Sequence, residues 1–167
     1  MVDDWERVET GSPDLKRLQT ARTVATTHEP LVSEATFDSP VDPQTLQLSM
    51  DVGIQAETGR FDVTWTENGY YKYHYTEGDE FNYRYDRHPR ADIPEKHVHE
   101  PPNANHDAVS SCIEVEGVPL VTLAVLGRWR DAVESRDLDR LATRQYRTVA
   151  SSMPAVCPIP TTTSPLT

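Results

Sequence analysis

Three consecutive segments, "FDVTWT", "YYKYHYT" and "FNYRYD", put Phe61, Val63, Trp65, Tyr71, Tyr73, Tyr75, Phe81, Tyr83 and Tyr85 at alternate positions. Strand side chains point to opposite faces in turn, so these residues line one face of an antiparallel sheet and need a cover. The connections between the segments must then have odd length, because a slip of one residue would turn every aromatic ring out to solvent. A three-residue loop, Glu67-Asn68-Gly69, with Gly69 left-handed in a bulge, satisfies this and sets Trp65 opposite Tyr71, Asp62 opposite His74 and Thr64 opposite Lys72. The turn around Gly78 admits two registers. The one that opposes Lys72 to Asp86 and His74 to Arg84 is favoured, because the other opposes Lys72 to Arg84.

Upstream, "LQLSMDVGI" alternates over Leu46, Leu48, Met50, Val52 and Ile54, and Leu31 to Phe37 reads as another strand. In "SPDLKRLQTARTVA", Ser12 is the expected N-cap and Pro13 the first helical residue. Downstream, four prolines between Arg87 and Asp107 (Pro89, Pro94, Pro101 and Pro102) indicate a long loop, followed by a short strand near Cys112 to Glu116. From Thr122 as N-cap, Leu123, Leu126, Trp129 or Arg130, and Val133 recur at helical spacing. They predict a C-terminal helix to about Tyr146 that covers the aromatic face. The expected architecture is α+β: an antiparallel sheet of five or six strands, packed by a C-terminal helix, with a short N-terminal helix. Residues 1–30 form an N-terminal extension, 31–146 the domain, and 147–167 a mobile tail rich in Pro and Thr.

The 167 residues carry a formal net charge of −11, with Lys16, Lys72 and Lys96 the only lysines. An acidic, lysine-poor chain with few cysteines resembles proteins of salt-loving organisms, whose surface carboxylates hold water in concentrated salt. The pI of about 4.9 argues against phosphate-driven nucleic-acid binding at ordinary salt, and decides little in concentrated salt, where that attraction is weak. Cys112 and Cys157 have neither metal-site nor disulfide-framework spacing. No apolar run is long enough to span a bilayer, and the acidic start "MVDDWERVETGSPD" is unlike a signal peptide, so a cytoplasmic protein without membrane contact is expected.

The second face of the central strands is polar and carries two rows: Asp62, His74 and Arg84; and Thr64, Lys72 and Asp86. A carboxylate that orients an imidazole, beside a guanidinium, is the equipment of a metal-free ribonuclease. In that reading His74 is the general base or acid and Asp62 orients it. Arg84, with Lys72 or Lys96, grips phosphate, and His97 is a second proton-transfer group. Arg87, His88, Arg90, Lys96, His97 and His99 form a basic island on an acidic chain, with Tyr70 and Tyr85 as the edge rings available for stacking on RNA. No cofactor is needed. The blander account is a solvent-facing sheet whose mixed charges contribute only tenths of a kcal/mol per pair. A further alternative is a metal chelated by His97 and His99, which share a strand face, although no cysteine or carboxylate accompanies them at zinc spacing.

An aromatic strand with Tyr73, His74 and Tyr75, a second with Arg84, Tyr85 and Asp86, then Pro89 and a loop ending in Pro94, Lys96 and His97, followed by "VTLAVLGRW", resembles the TumE family of toxin–antitoxin toxins. The resemblance spans about 31–141. Where the family often has paired histidines early in the loop, this chain has His88 and then Arg90-Ala91-Asp92, and Glu95 stands before the lysine. The resemblance implies a toxin neutralised by a cognate antitoxin, often one with a helix-turn-helix domain. The resemblance names no target; RNA is the target expected from the polar row, and the alternative is a non-catalytic module that only docks a partner protein.

Overall fold

A computed structural model describes residues 10–104 and 107–141. Helix α1 (Leu15–His28) leads into seven strands: β1 (Val32–Phe37), β2 (Leu46–Met50), β3 (Gly59–Trp65), β4 (Tyr71–Glu77), β5 (Phe81–Arg87), β6 (Lys96–His99) and β7 (Val109–Ser110). Helix α2 (Val118–Ser135) and a 3-10 turn (Leu138–Leu141) complete the fold. The strands form one antiparallel sheet in sequence order, a meander with no crossover. The fold is therefore α+β, with two more strands than the lower expected count.

The registers inferred from alternation are those observed. Trp65 faces Tyr71, Asp62 faces His74, Lys72 faces Asp86 and His74 faces Arg84. Gly69 (φ +81°) and Gly78 (φ +58°) supply the left-handed residues that both loops require. Phe61, Val63, Tyr73, Tyr75, Tyr83 and Tyr85 are fully buried beneath α2, whose Trp129 meets Phe61 and Tyr75 at ring-centroid distances of 6.4 and 6.2 Å. Buried phenols and indoles need partners. The Trp65 indole donates to the Tyr73 oxygen at 2.9 Å, and that hydroxyl meets Thr122 of α2 at 2.7 Å.

Several local expectations are corrected. Asp14, not Ser12, caps α1, its side chain accepting from Arg17 N at 3.1 Å. Pro13 instead forms a bridge with Thr66. Strand β2 stops at Met50, and Ile54 is buried from the following bends rather than from the strand. Helix α2 begins at Val118 after Gly117 (φ +81°), with Pro119 in its first turn, four residues before the expected cap Thr122. It ends at left-handed Arg136 (φ +57°). Leu123 is on its exposed side, whereas Leu126, Trp129 and Val133 pack inward. The short strand after the loop is Val109–Ser110, not 112–116. The rest of the expected helix, 142–146, and the tail 147–167 lie outside the described residues.

Two buried carboxylates tie the layers together. Glu29, at the end of α1, takes a two-pronged contact from Arg130 of α2, with Arg130 Nε at 2.9 Å. Glu77, at the end of β4, accepts from the backbone N–H groups of Ile54, Gln55 and Ala56 and from the Tyr75 hydroxyl. Removing an acceptor that satisfies several inward N–H groups leaves them desolvated and unpaired. Glu77→Ala should cost about 3 kcal/mol of unfolding free energy by urea titration, and Glu77→Gln, which keeps one acceptor oxygen, clearly less.

Candidate functional site

Strand β5 carries Arg84 and Asp86 on the polar face, and β6 sets His99 and His97 directly opposite them. The stretch expected as loop thus contains a paired strand, and its histidines are internal: His97 is fully buried and His99 is 3% exposed. His88, two residues beyond Asp86, faces the same way and stacks edge-on against His97 with centroids 4.8 Å apart. The turn between β5 and β6 is closed by His88 N donating to Glu95 O at 3.0 Å.

At the centre is the Asp86 carboxylate, 1% exposed. Around its Oδ2 stand His99 Nε2 at 3.5 Å, His97 Nε2 at 3.6 Å and His88 Nε2 at 3.9 Å. Arg84 Nε is 2.7 Å away, with its N–H off the line of a hydrogen bond. Burial acts to raise the Asp86 pKa. The His97 ring and the charges of Arg84 and Lys72 outweigh it and hold the carboxyl below its usual 3.8.

The protonation of His97 follows from its other nitrogen. His97 Nδ1 lies 2.8 Å from Pro94 O, which can only accept, so Nδ1 carries the proton. In a neutral ring, Nε2 then presents a lone pair to a carboxylate, and neither Nε2 nor the Asp86 oxygens have a hydrogen-bond partner. A lone pair facing an anion inside a protein needs something between them: a proton on Nε2, a water that donates to both, or a metal ion. Asp86, His88 and His97 offer ligand atoms all within 4.8 Å of one another. Ligands about 2.0–2.1 Å from a tetrahedral zinc stand about 3.4 Å apart, close to the separations around Asp86. The backbone anchor on Nδ1 is also the usual outer contact of a metal-ligating histidine.

The expected catalytic row is brought into register but not into contact. His74 Nε2 meets Asn82 Oδ1 at 3.0 Å, while Asp62 is held by Arg60 at 2.9 Å, so Asp62 does not orient His74. His74 sits two strands from His99, roughly 10 Å at the spacing of a sheet. Lys72 belongs to the Asp86 row. Arg87 and Lys96 point to the opposite face, at its edge, where Arg87 pairs with Glu95 at 2.7 Å and Lys96 donates to Glu114 O at 2.7 Å. Tyr85, expected as a free edge ring, is fully buried, and its hydroxyl donates to Leu141 O at 2.6 Å. His106 lies outside the described residues. Sequence reasoning did not bring Asp86 and His88 together with His97. The signal was available in the antiparallel return of "KHVH" on "YRYDRH", which brings His97 opposite Asp86.

Together the fold and site define a small α+β protein that covers one face of an antiparallel meander with helices and builds a carboxylate–imidazole cluster on the other. The family model described as Toxin TumE matches residues 20–136, well over half of the chain and all of the cluster, so the chain belongs to the TumE toxin family. No curated protein and no solved structure matches. TumE toxins act within toxin–antitoxin pairs, which implies a cognate antitoxin. No helix among the described residues is long and apolar enough to cross a membrane.

Because the folded pKa of Asp86 lies below the unfolded value, its ionised form stabilises the fold fully above pH 3.8, and this contribution is lost as pH falls through the folded value. Asp86→Asn should therefore lower stability by about 3 kcal/mol at pH 7, with the wild-type and variant curves converging in acid. Urea midpoints between pH 2 and 7 check this, and a difference that persists unchanged at the acid end contradicts it.

Proposed function

We propose that this protein is the toxin of a toxin–antitoxin pair and that its working centre is a transition-metal site held by Asp86, His88 and His97, with His99 beside it. This replaces the metal-independent ribonuclease expected from the Asp62, His74, Arg84 row. The observation that supports it most is the buried confrontation of His97 Nε2 with the Asp86 carboxylate, 3.6 Å apart, with Nδ1 already committed to Pro94 O. Two imidazoles and one carboxylate are a donor set suited to zinc or to other late first-row ions. Bound there, such an ion supplies Lewis acidity toward an oxygen of the target. The chain's own contribution is to fix the His97 tautomer, to keep the carboxylate ionised and, through Arg84 and Lys72, to attract an anionic target. A cognate antitoxin with a helix-turn-helix domain is the proposed partner.

One observation favours a second reading. Arg84 and Lys72 already act on Asp86, which opposes a divalent ion more than a single proton and so suits a proton-transfer centre on His97 without metal. The two readings separate in one experiment. Metal-stripped protein titrated calorimetrically with Zn2+, Mn2+ and Co2+ should take up one equivalent, and His97→Gln or His88→Ala, which remove a ligand, should weaken uptake by more than the roughly 10–100-fold that loss of an outer contact alone causes. In a parallel induction experiment the wild type should arrest growth, and Asp86→Asn and His97→Gln should not. Growth arrest by a protein that takes up none of the three ions would overturn the metal site and leave the proton-transfer centre.

A further inference from the structure

Beside the cluster, a groove of about 210 Å³ opens where β3 ends, β4 begins and β5 ends. Its walls include Trp65, Tyr70 and Tyr71, with Thr64 and Thr66 among its polar groups, and its basic members are Lys72, Arg87 and His88. Among the described residues no carboxylate lines it, on a chain whose formal charge is −11. Arg87 is paired with Glu95 at 2.7 Å and His88 stands 3.9 Å from Asp86, both carboxylates lying behind the wall, so the face that the groove presents is the cationic side of these pairs and suits an anion. The volume is below the roughly 300–1,000 Å³ of pockets for drug-sized ligands or cofactors, so any occupant is small or enters only in part.

The aromatic part has the matching chemistry. Tyr70 is half-buried, and its ring lies under the Arg87 guanidinium, 5.9 Å from the ring centroid. A phenol ring paired with a planar cation is a stacking platform for a nucleobase, which presents a π-face whatever its identity. Lys72, one strand from Asp86, and His88 are at the end of the groove nearest the cluster. His88 belongs to both: it lines the groove, and its Nε2 is 3.9 Å from the Asp86 carboxylate.

We infer that this groove, which wraps the end of the sheet, binds one nucleotide of a single-stranded RNA, its base on Tyr70 and Arg87 and its phosphate toward Lys72 and His88, so that the adjoining phosphodiester comes up to His88, the partly exposed member of the Asp86, His88, His97 cluster. The inference deepens the proposed function and rests on that cluster being the working centre. It also relocates the contact with RNA. The buried Tyr85 has no part in it, and Lys96, engaged by Glu114 and Glu116, lies outside the groove.

The test uses full-length protein, a fluorescently labelled uridine hexamer followed by anisotropy, and uridine monophosphate followed by calorimetry. Tyr70→Ala and Lys72→Met should each weaken binding of the hexamer roughly ten-fold, while Tyr70→Phe, which keeps the ring, should bind like the wild type. The affinity should fall with added salt, with a log–log slope of about −0.7 for each phosphate held. Monophosphate binding with the same Tyr70 and Lys72 dependence supports the single-nucleotide site directly. Wild-type protein that binds neither probe, or Tyr70→Ala and Lys72→Met variants that bind both unchanged, would overturn it. Zinc titration of the same preparations separates the two ideas. Nucleotide binding without metal uptake keeps the groove and removes the metal centre, and metal uptake without nucleotide binding does the reverse.

Discussion

Register across β3, β4 and β5 governs both halves of this molecule. Trp65 opposite Tyr71, and Tyr73 opposite Tyr85, put every large ring on the side that α2 covers. The same registration leaves Lys72 opposite Asp86 and Asp86 opposite His97 on the other side. A shift of one residue in either loop would place rings in water and charges under the helix. The left-handed glycines at 69 and 78 hold that choice with the smallest conformational penalty available to the backbone. Core and candidate site are thus two faces of one constraint.

The polar face departs from an ordinary solvent-facing sheet at β6. Over β3 and β4 its side chains are only half-buried, as expected for cross-strand pairs of small individual worth. At β5 and β6 the connecting segment folds back, and Asp86, His97 and His99 become nearly inaccessible. A carboxylate stays ionised in such a place only if cations or donors surround it. Arg84, Lys72 and the imidazoles meet that requirement, and the lowered pKa of Asp86 follows from them. Enclosure strengthens each of these interactions, because the screening that weakens surface pairs is missing.

Periodicity made the central sheet legible, down to individual cross-strand pairs, because two constraints agreed: a face that must be buried and loops that must be odd. It failed where a local signal competed with a tertiary one. Prolines at 89, 94, 101 and 102 punctuate the chain around β6, and a four-residue strand between them has too little pattern to stand out. Its single apolar residue, Val98, is fully buried between two polar neighbours, which is alternation at its minimum length. Helix α2 was dated from Thr122 because threonine is a good cap, but Thr122 is spent inside the helix, bonded to Val118 O and to the Tyr73 hydroxyl. Asp62 and His74 were correctly opposed, yet opposition of Cα positions does not make a contact. Arg60 on the same strand captured the carboxylate, and Asn82 on the next captured the imidazole. Glu29 and Glu77 had no sequence signature at all, since their partners are a distant arginine and three backbone N–H groups.

The charge around the cluster narrows what the site can hold. Its ligands are imidazole nitrogens and one carboxylate already flanked by Arg84 and Lys72. Magnesium and calcium prefer oxygen ligands throughout, whereas two of the three proposed ligands here are imidazole nitrogens. Zinc and its neighbours are held by nitrogen lone pairs and tolerate a nearly neutral cage, so the donor set selects among metals before geometry does. The same arithmetic acts on the target. On the proposed reading, Arg84 and Lys72, whose charges hold the Asp86 pKa down, are also the cations available to an anionic target. On the same reading, the groove beside it shares His88 with the cluster and sets Lys72 and Arg87 along the sheet end, so metal and anion would answer to one arrangement of charge.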